Sequence, residues 1–253
     1  MWLEIICGLV IYKLFRHFLY DDEFSDVATS DSTALFSVAH RLEKLYGGKS
    51  YVGLRIPDAD TASRQDIDLV LVTKGQLVVI AVKNLSGILT VTSDGTWLCQ
   101  AETYPDPLAQ VKKQASVLES YLQQRGVTLL EANLSCKVVI PNPNFRTIHA
   151  FPSEVITYEE WQQLKPVSTS KLSGWIKGAF SSGKEMQESS HQKINFILGT
   201  APMWDRVELK SSKIVLGEFL EFKGKQEDTL ALRHIKRSKV DHISIQKTSM
   251  FGL

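Results

Sequence analysis

Two runs decide how this chain folds: Asp66-Ile67-Asp68-Leu69-Val70-Leu71-Val72-Thr73 and Gln76-Leu77-Val78-Val79-Ile80-Ala81-Val82-Lys83, joined by Lys74-Gly75. Both are of strand length and rich in β-branched residues. The glycine-containing pair between them supplies a tight turn, so together they read as an antiparallel hairpin. Nearly continuous apolar runs of this kind belong at the centre of a sheet.

Upstream, Thr33 to Leu45 sets Leu35, Val38, Leu42 and Leu45 at helical spacing, and Gly47-Gly48 supplies a stop, which predicts a first core helix. Downstream, a second hairpin is expected across Gly87 to Cys99, with Ser93-Asp94-Gly95 as its turn and Trp97 as a packing residue, continuing the sheet as a meander. A helix over Pro107 to Gln124 follows from the stripe Leu108, Val111, Ala115, Leu118 and Leu122. Asp106 caps it, Pro107 sits in its first turn and Gly126 lies beyond its end. Cys136 to Ile140 and Glu154 to Thr157 read as short returning strands, and Tyr158 to Leu164 as a short helix. Helix, antiparallel strands, helix and strand in this order define an α/β class and not an all-parallel one.

Composition frames the body of the chain as folded. Of 253 residues, 43% are hydrophobic and 23% charged, near globular averages. Lys plus Arg number 29 against 28 Asp plus Glu, so nucleic-acid capture by net charge is unsupported and any such contact needs a local patch. Arg233-His234-Ile235-Lys236-Arg237-Ser238-Lys239 is the densest basic stretch, with Arg233, Lys236 and Arg237 as candidate phosphate contacts beside a solvated strand-turn reading. Cys7, Cys99 and Cys136 are odd in number, widely separated and without metal-type spacing, which favours reduced thiols facing the cytosol. The six histidines show no paired spacing for zinc. No nucleophile elbow, Walker loop or dinucleotide fingerprint is found.

The amino terminus differs from the body. Residues 2–20 hold Ile5-Ile6-Cys7-Gly8-Leu9-Val10-Ile11-Tyr12, followed by Lys13, Arg16 and His17 within a second apolar stretch. A secretory signal puts its charge first and ends with small residues, and neither holds here. As a helix, the segment is apolar nearly all round and close to the ~20 residues that span a bilayer core. The cations on its C-terminal side would leave the body in the cytosol. Residues 1–20 are therefore expected to form a membrane anchor, with docking against a partner helix or burial in the fold as the alternatives. Residues 21–32 read as a linker, 33–165 as the main domain and 166–192 as a polar, partly helical connection. Residues 193–253 read as a small β-barrel-like unit whose core would include Trp204, Val207 and Leu209.

Three pieces taken together carry a resemblance: Asp66-Ile67-Asp68-Leu69-Val70-Leu71-Val72 with Gly75, then Val79-Ile80-Ala81-Val82-Lys83-Asn84 with Gly87, then Asp106-Pro107-Leu108-Ala109-Gln110. In this order they resemble the nuclease-related (NERD) family, of the PD-(D/E)XK restriction-endonuclease-like superfamily. The third piece resembles that family's Asn-Pro-Leu-x-Gln helix start. The resemblance spans Thr33 to Tyr121. It implies a restriction-endonuclease-like core of helix, mixed central sheet, helix and strand, and a site in which a carboxylate-held divalent metal activates water against a phosphodiester.

By that resemblance Asp68 takes the place of the metal-binding aspartate, and Lys83 that of the lysine ending a Glu-x-Lys tripeptide and touching phosphate. Gln110 stands at the helix start. Ala81 occupies the Glu position, and no acidic residue is evident in Ala34-Leu35-Phe36-Ser37-Val38 on the first helix. Asp66, two residues before Asp68 on one strand face, could supply a further oxygen to Mg²⁺ or Mn²⁺. The alternative places Asp66 in solvent and makes Asp68 and Lys83 a buried pair between strands. These residues lead to a catalytically impaired nuclease-fold module, needing no cofactor and acting through an unknown protein partner at a membrane. Beside it stands a degenerate, Mg²⁺- or Mn²⁺-dependent nuclease.

Overall fold

The computed structural model describes residues 29–100, 102–130, 133–164, 188–208, 214–218 and 243–244. The anchor expected at residues 1–20, residues 166–187 of the connection expected at 166–192, and Arg233, Lys236 and Arg237 lie outside the described residues. Among the described residues no helix is long and apolar enough to cross a membrane.

Helix α1 (Thr29–Tyr46) leads into strands β1 (Lys49–Pro57), β2 (Arg64–Val72) and β3 (Leu77–Val82). The α1 helix starts four residues before Thr33, where the sequence predicts it to begin, so residues expected in the linker form its first turn. Thr73 and Gln76 close the hairpin between β2 and β3, with Thr73 N donating to Gln76 O at 2.8 Å. Helix α2 (Pro107–Gln123) then crosses over to β7 (Leu134–Val139), which pairs parallel with β3, and β9 (Val155–Ile156) pairs parallel with β7. The central sheet runs β1-β2-β3-β7-β9, antiparallel in its first half and parallel in its second. A short helix α3 (Tyr158–Gln163) ends this part of the chain.

The apolar run of β3 is continuous because both faces are covered. Leu77, Val79 and Ala81 join Val111, Ala115, Leu118 and Leu122 of α2 in one core cluster. Val78 and Ile80 join Leu35, Val38 and Leu42 of α1 and Trp161 of α3 in a second. The Arg41 guanidinium lies over the Trp161 ring at 4.7 Å and donates to its carbonyl at 2.9 Å, fixing α1 to α3. The chain is thus a mixed α/β protein with a nuclease-like core.

Two expectations change. The hairpin β4 (Gly87–Val91) and β5 (Trp97–Cys99), with β6 (Glu102–Tyr104) and β8 (Phe145–Thr147), does not prolong the central sheet; it forms a separate sheet of order β6-β5-β4-β8. The edge of β3 that a meander would use is taken by β7 instead. At the C-terminal side, residues 193–199, expected in the β-barrel-like unit, continue a helix that begins in the connecting segment, α4 (Glu188–Gly199). Its Ile194, Ile197 and Leu198 sit in the main core at i, i+3 and i+4. A β-rich unit does follow, as β10 (Asp205–Glu208) between β11 (Ile214–Gly217) and β12 (Ile243–Ser244). The strap of chain entering it lies along β1, with Arg55 N donating to Pro202 O and Trp204 N to Gly53 O, each at 2.8 Å.

The pleat changes phase at one point. Along β2, Val70 and Val72 face α2 while Leu69 and Leu71 face α1, yet Ile67 again faces the α2 cluster. On β1, Val52 touches the α1 cluster, but Leu54 and Ile56 both belong to the other. Gly53, with φ +69, and Asp68 stand between the pairs Val52↔Leu69 and Leu54↔Ile67, where the alternation breaks.

Candidate functional site

Pairing of β2 with β3 ends at Leu69↔Ile80. Beyond it the strands part, and Asp68 Oδ2 accepts the Val82 backbone N–H at 2.9 Å, replacing the ladder bond a paired strand would have made. The parting opens a cleft of about 410 Å³ whose lining includes Asp31, Asp66, Asp68, Lys83, Tyr104 and Trp204.

Asp68 sits at the base of this cleft, and burial pushes its pKa up. The Val82 N–H and the Lys83 charge draw it back down, whereas Asp31 and Asp66 add repulsion in the upward direction. Asp66 is exposed and faces Arg55, its Oδ1 lying 3.7 Å from Arg55 Nε. Its carbonyl accepts from Gln114 Nε2 at 2.6 Å, which ties the strand to α2. The Tyr104 hydroxyl donates to Glu102, which is the first cause of its pKa being pushed up to about 12.

Asp66, Asp68 and Lys83 thus come together, while other expected features do not. Gln110 is exposed and its backbone bonds Asp106 within its own helix. One turn further along, Gln114 is the glutamine that reaches the sheet, because α2 turns that face inward. Asp106 accepts the Leu108 N–H and so acts as the helix cap. Among the described residues no Asp68–Lys83 ion pair lies within 4.0 Å, so the buried pair is corrected to a backbone-capped carboxylate near a lysine. Ala81 is 2% exposed and packed in the α2 core, and unlike Val82 and Lys83 it does not line the cleft. Trp204 is turned from the core of a C-terminal unit to the cleft wall, with the Arg55 guanidinium 3.8 Å from its ring centroid.

Asp31 is the residue missed by reading the sequence. It lies in the first turn of α1 and lines the same cleft as Asp68. Its signal was the run Thr29-Ser30-Asp31-Ser32, typical of a helix start, which passes for linker because it precedes the apolar periodicity.

A hard divalent cation needs several convergent oxygens. Here one Asp68 oxygen is held by a backbone amide, Asp66 leans to Arg55, and Ala81 has only a methyl. No group of three acidic or other ligating side chains among the described residues is placed to hold a metal. The side chains as arranged do not fit such an ion.

Residues 31–141 match the family model described as "Nuclease-related domain", NERD. The chain is similar to this family over that stretch, and the site residues Asp31, Asp66, Asp68 and Lys83 and the glutamines Gln110 and Gln114 all lie inside the match. No curated protein and no solved structure matches the chain.

Proposed function

We propose that this is a membrane-associated NERD-domain protein whose nuclease fold serves as an interaction or scaffolding module on the cytosolic face, with phosphodiester cleavage lost or strongly impaired. The observation that supports this best is Ala81, sealed in the core where the family pattern calls for a carboxylate beside Lys83. The capping of Val82 by Asp68 supports it too, since an oxygen spent on a backbone amide is a weaker metal ligand. The full-length protein in detergent micelles, given single- and double-stranded DNA and RNA with Mg²⁺ or Mn²⁺, should yield no products. Turnover that Asp68→Ala abolishes would overturn the reading.

Membrane association is supported by residues 2–20 of the sequence. Burying half of those side chains in lipid is worth several kcal/mol at roughly 25 cal/mol per Å². The protein should pellet with membranes, and Ile6→Asp combined with Val10→Asp should release it. Unchanged fractionation of the double variant would remove the anchor.

A second reading has one observation in its favour. Asp31, Asp66 and Asp68 line the same cleft as Lys83, so a modest rearrangement could gather three carboxylates around Mg²⁺ or Mn²⁺. Calorimetric titration should then detect binding that Asp31→Asn weakens, and absence of heat with either metal would end this alternative.

A further inference from the structure

The second sheet buries one face and leaves the other bare. Leu89, Trp97, Cys99 and Phe145 belong to the main core. The alternate positions, paired as Ile88↔Arg146 and Thr90↔Leu98↔Thr103, form the opposite face, and all five residues are exposed. Ile148 stands just past the end of β8, where the Val91 N–H donates to His149 Nε2 at 3.2 Å and holds the turn against β4. Six large apolar side chains are exposed among the described residues, and three of them gather here: Ile88 at 67%, Leu98 at 36% and Ile148 at 86%. Single exposed aliphatics are ordinary, but a cluster on one face marks a contact surface.

The charge on this face has one sign. Arg146 donates from Nη1 to the carbonyls of Pro143 and Phe145, at 2.8 and 2.6 Å, and among the described residues no carboxylate lies within 4.0 Å of it. The acidic side chains of the same strands and turns are engaged elsewhere. Asp94 accepts from the Thr92 and Thr96 hydroxyls in the hairpin turn, and Glu102, register partner of the buried Cys99, accepts from Tyr104. Aliphatic side chains beside hydroxyls and a guanidinium without a carboxylate suit a phospholipid interface, where hydrocarbon meets phosphate oxygens.

Size decides against a protein partner in solution. Four short strands spaced ~4.8 Å apart present a face of about 300 Å², well short of the roughly 800 Å² per partner of a stable protein interface. A patch this small contributes only when something else already holds the body beside its target, since tethering raises the local concentration. The apolar residues 2–20 are the sequence feature suited to that in a bilayer, and residues 21–28 reach at most about 30 Å. The sheet also lies on the side where α1 begins, because Asp31 of its first turn and Tyr104 of β6 line one cleft.

We infer that the outer face of this sheet docks on a phospholipid bilayer, with Ile88, Leu98 and Ile148 entering the interface and Arg146 at the headgroup phosphates. The docked body is held in one orientation beside the membrane instead of swinging on its linker. This rests on the membrane association proposed above and names a second contact for it, independent of any chemistry in the cleft.

Full-length protein reconstituted into vesicles of phosphatidylcholine and phosphatidylglycerol, three to one, with a fraction of doxyl-labelled lipid, tests the docking. A thiol-reactive fluorophore is placed at Ile148→Cys or, as the control, at Gln110→Cys on the exposed side of α2, with Cys7→Ser and Cys136→Ala in both. Lipid quenching at position 148 should be at least threefold that at position 110. Adding Ile88→Asp and Arg146→Glu should bring it down to the control level, with vesicle flotation and melting temperature unchanged. Equal quenching at the two positions in protein that floats would overturn the docking and leave the anchor standing. Protein that does not float would overturn membrane association and the docking with it. A label at position 148 that is shielded but not quenched by lipid, in protein whose unlabelled Ile148→Cys form crosslinks to a second copy, would give the face to self-association and overturn lipid as its occupant.

Discussion

Asp68 accepts the backbone N–H of Val82 at 2.9 Å at the point where β2 and β3 stop pairing, so one carboxylate both ends the ladder and forms the base of the cleft. Burial raises its folded pKa above the usual carboxylate value, while the unfolded chain ionises near the ordinary value of about 4. As pH rises through that window the unfolded state loses its proton first, so stability falls until pH passes the folded pKa and then levels off. Asp68→Asn keeps an acceptor for Val82 and removes the penalty. It should be more stable than wild type at neutral pH, and the difference should shrink as the pH falls below the ordinary carboxylate range. Urea midpoints across this range check it, and a variant less stable at neutral pH would contradict the sign.

Ala81→Glu restores the family's tripeptide in sequence but not in space. The methyl is 2% exposed and belongs to the same apolar core cluster as Val111 and Ala115 of α2, so a carboxylate there meets apolar surroundings. An unpaired buried charge costs several kcal/mol unless the group protonates or the chain shifts. The variant should lose ~3 kcal/mol or more of stability and gain no Mg²⁺ binding, as read by thermal melting with and without the metal.

Gln114 ties α2 to the edge of the cleft through the Asp66 carbonyl. Gln114→Ala leaves that acceptor without its partner and should cost about 1–3 kcal/mol. Gln110→Ala, exposed one turn earlier, should be close to neutral in stability. Equal melting temperatures for the two variants would contradict this assignment.

Much of this was legible in the residues. The β2–β3 hairpin, the α2 stripe and its Asp106 cap follow from local pattern, because burial period and turn chemistry act within a few residues. The approach of Asp68 and Lys83 was legible through family resemblance, and that of Asp66 through its spacing of two from Asp68 on the same strand. What escaped depends on partners distant in sequence. The exclusion of Ala81 from the cleft is set by how α2 packs, and the phase change at Gly53 and Asp68 inverts the strict alternation that period-two reasoning assumes. The α4 stripe Ile194, Ile197 and Leu198 was visible at helical spacing, but the strand-like alternation that follows masked it. Trp204 gave no sign of its role, since only the tertiary path of the strap brings it over Arg55.

Gly53 offers a test of the strap that does not touch the charged residues. Its φ is +69, and a Cβ added there would lie 3.4 Å from Leu216 Cδ1 and 3.5 Å from Trp204 Cβ. Gly47 has nearly the same φ, +70, but a Cβ there meets nothing within 4 Å. Alanine at either position carries the left-handed strain of roughly 1–2 kcal/mol, so that cost cancels when the two variants are compared. What remains for Gly53→Ala is the contact of its methyl with Leu216 and Trp204. These are ordinary van der Waals separations, so the methyl fits against the strap without displacing it. Gly53→Ala should therefore be the more stable of the two by up to about 0.8 kcal/mol, the worth of one buried methyl, and the Trp204 amide should exchange at the wild-type rate in both variants. If Gly53→Ala melts below Gly47→Ala and loses protection at Trp204, the strap is seated too tightly on Gly53 to admit a methyl.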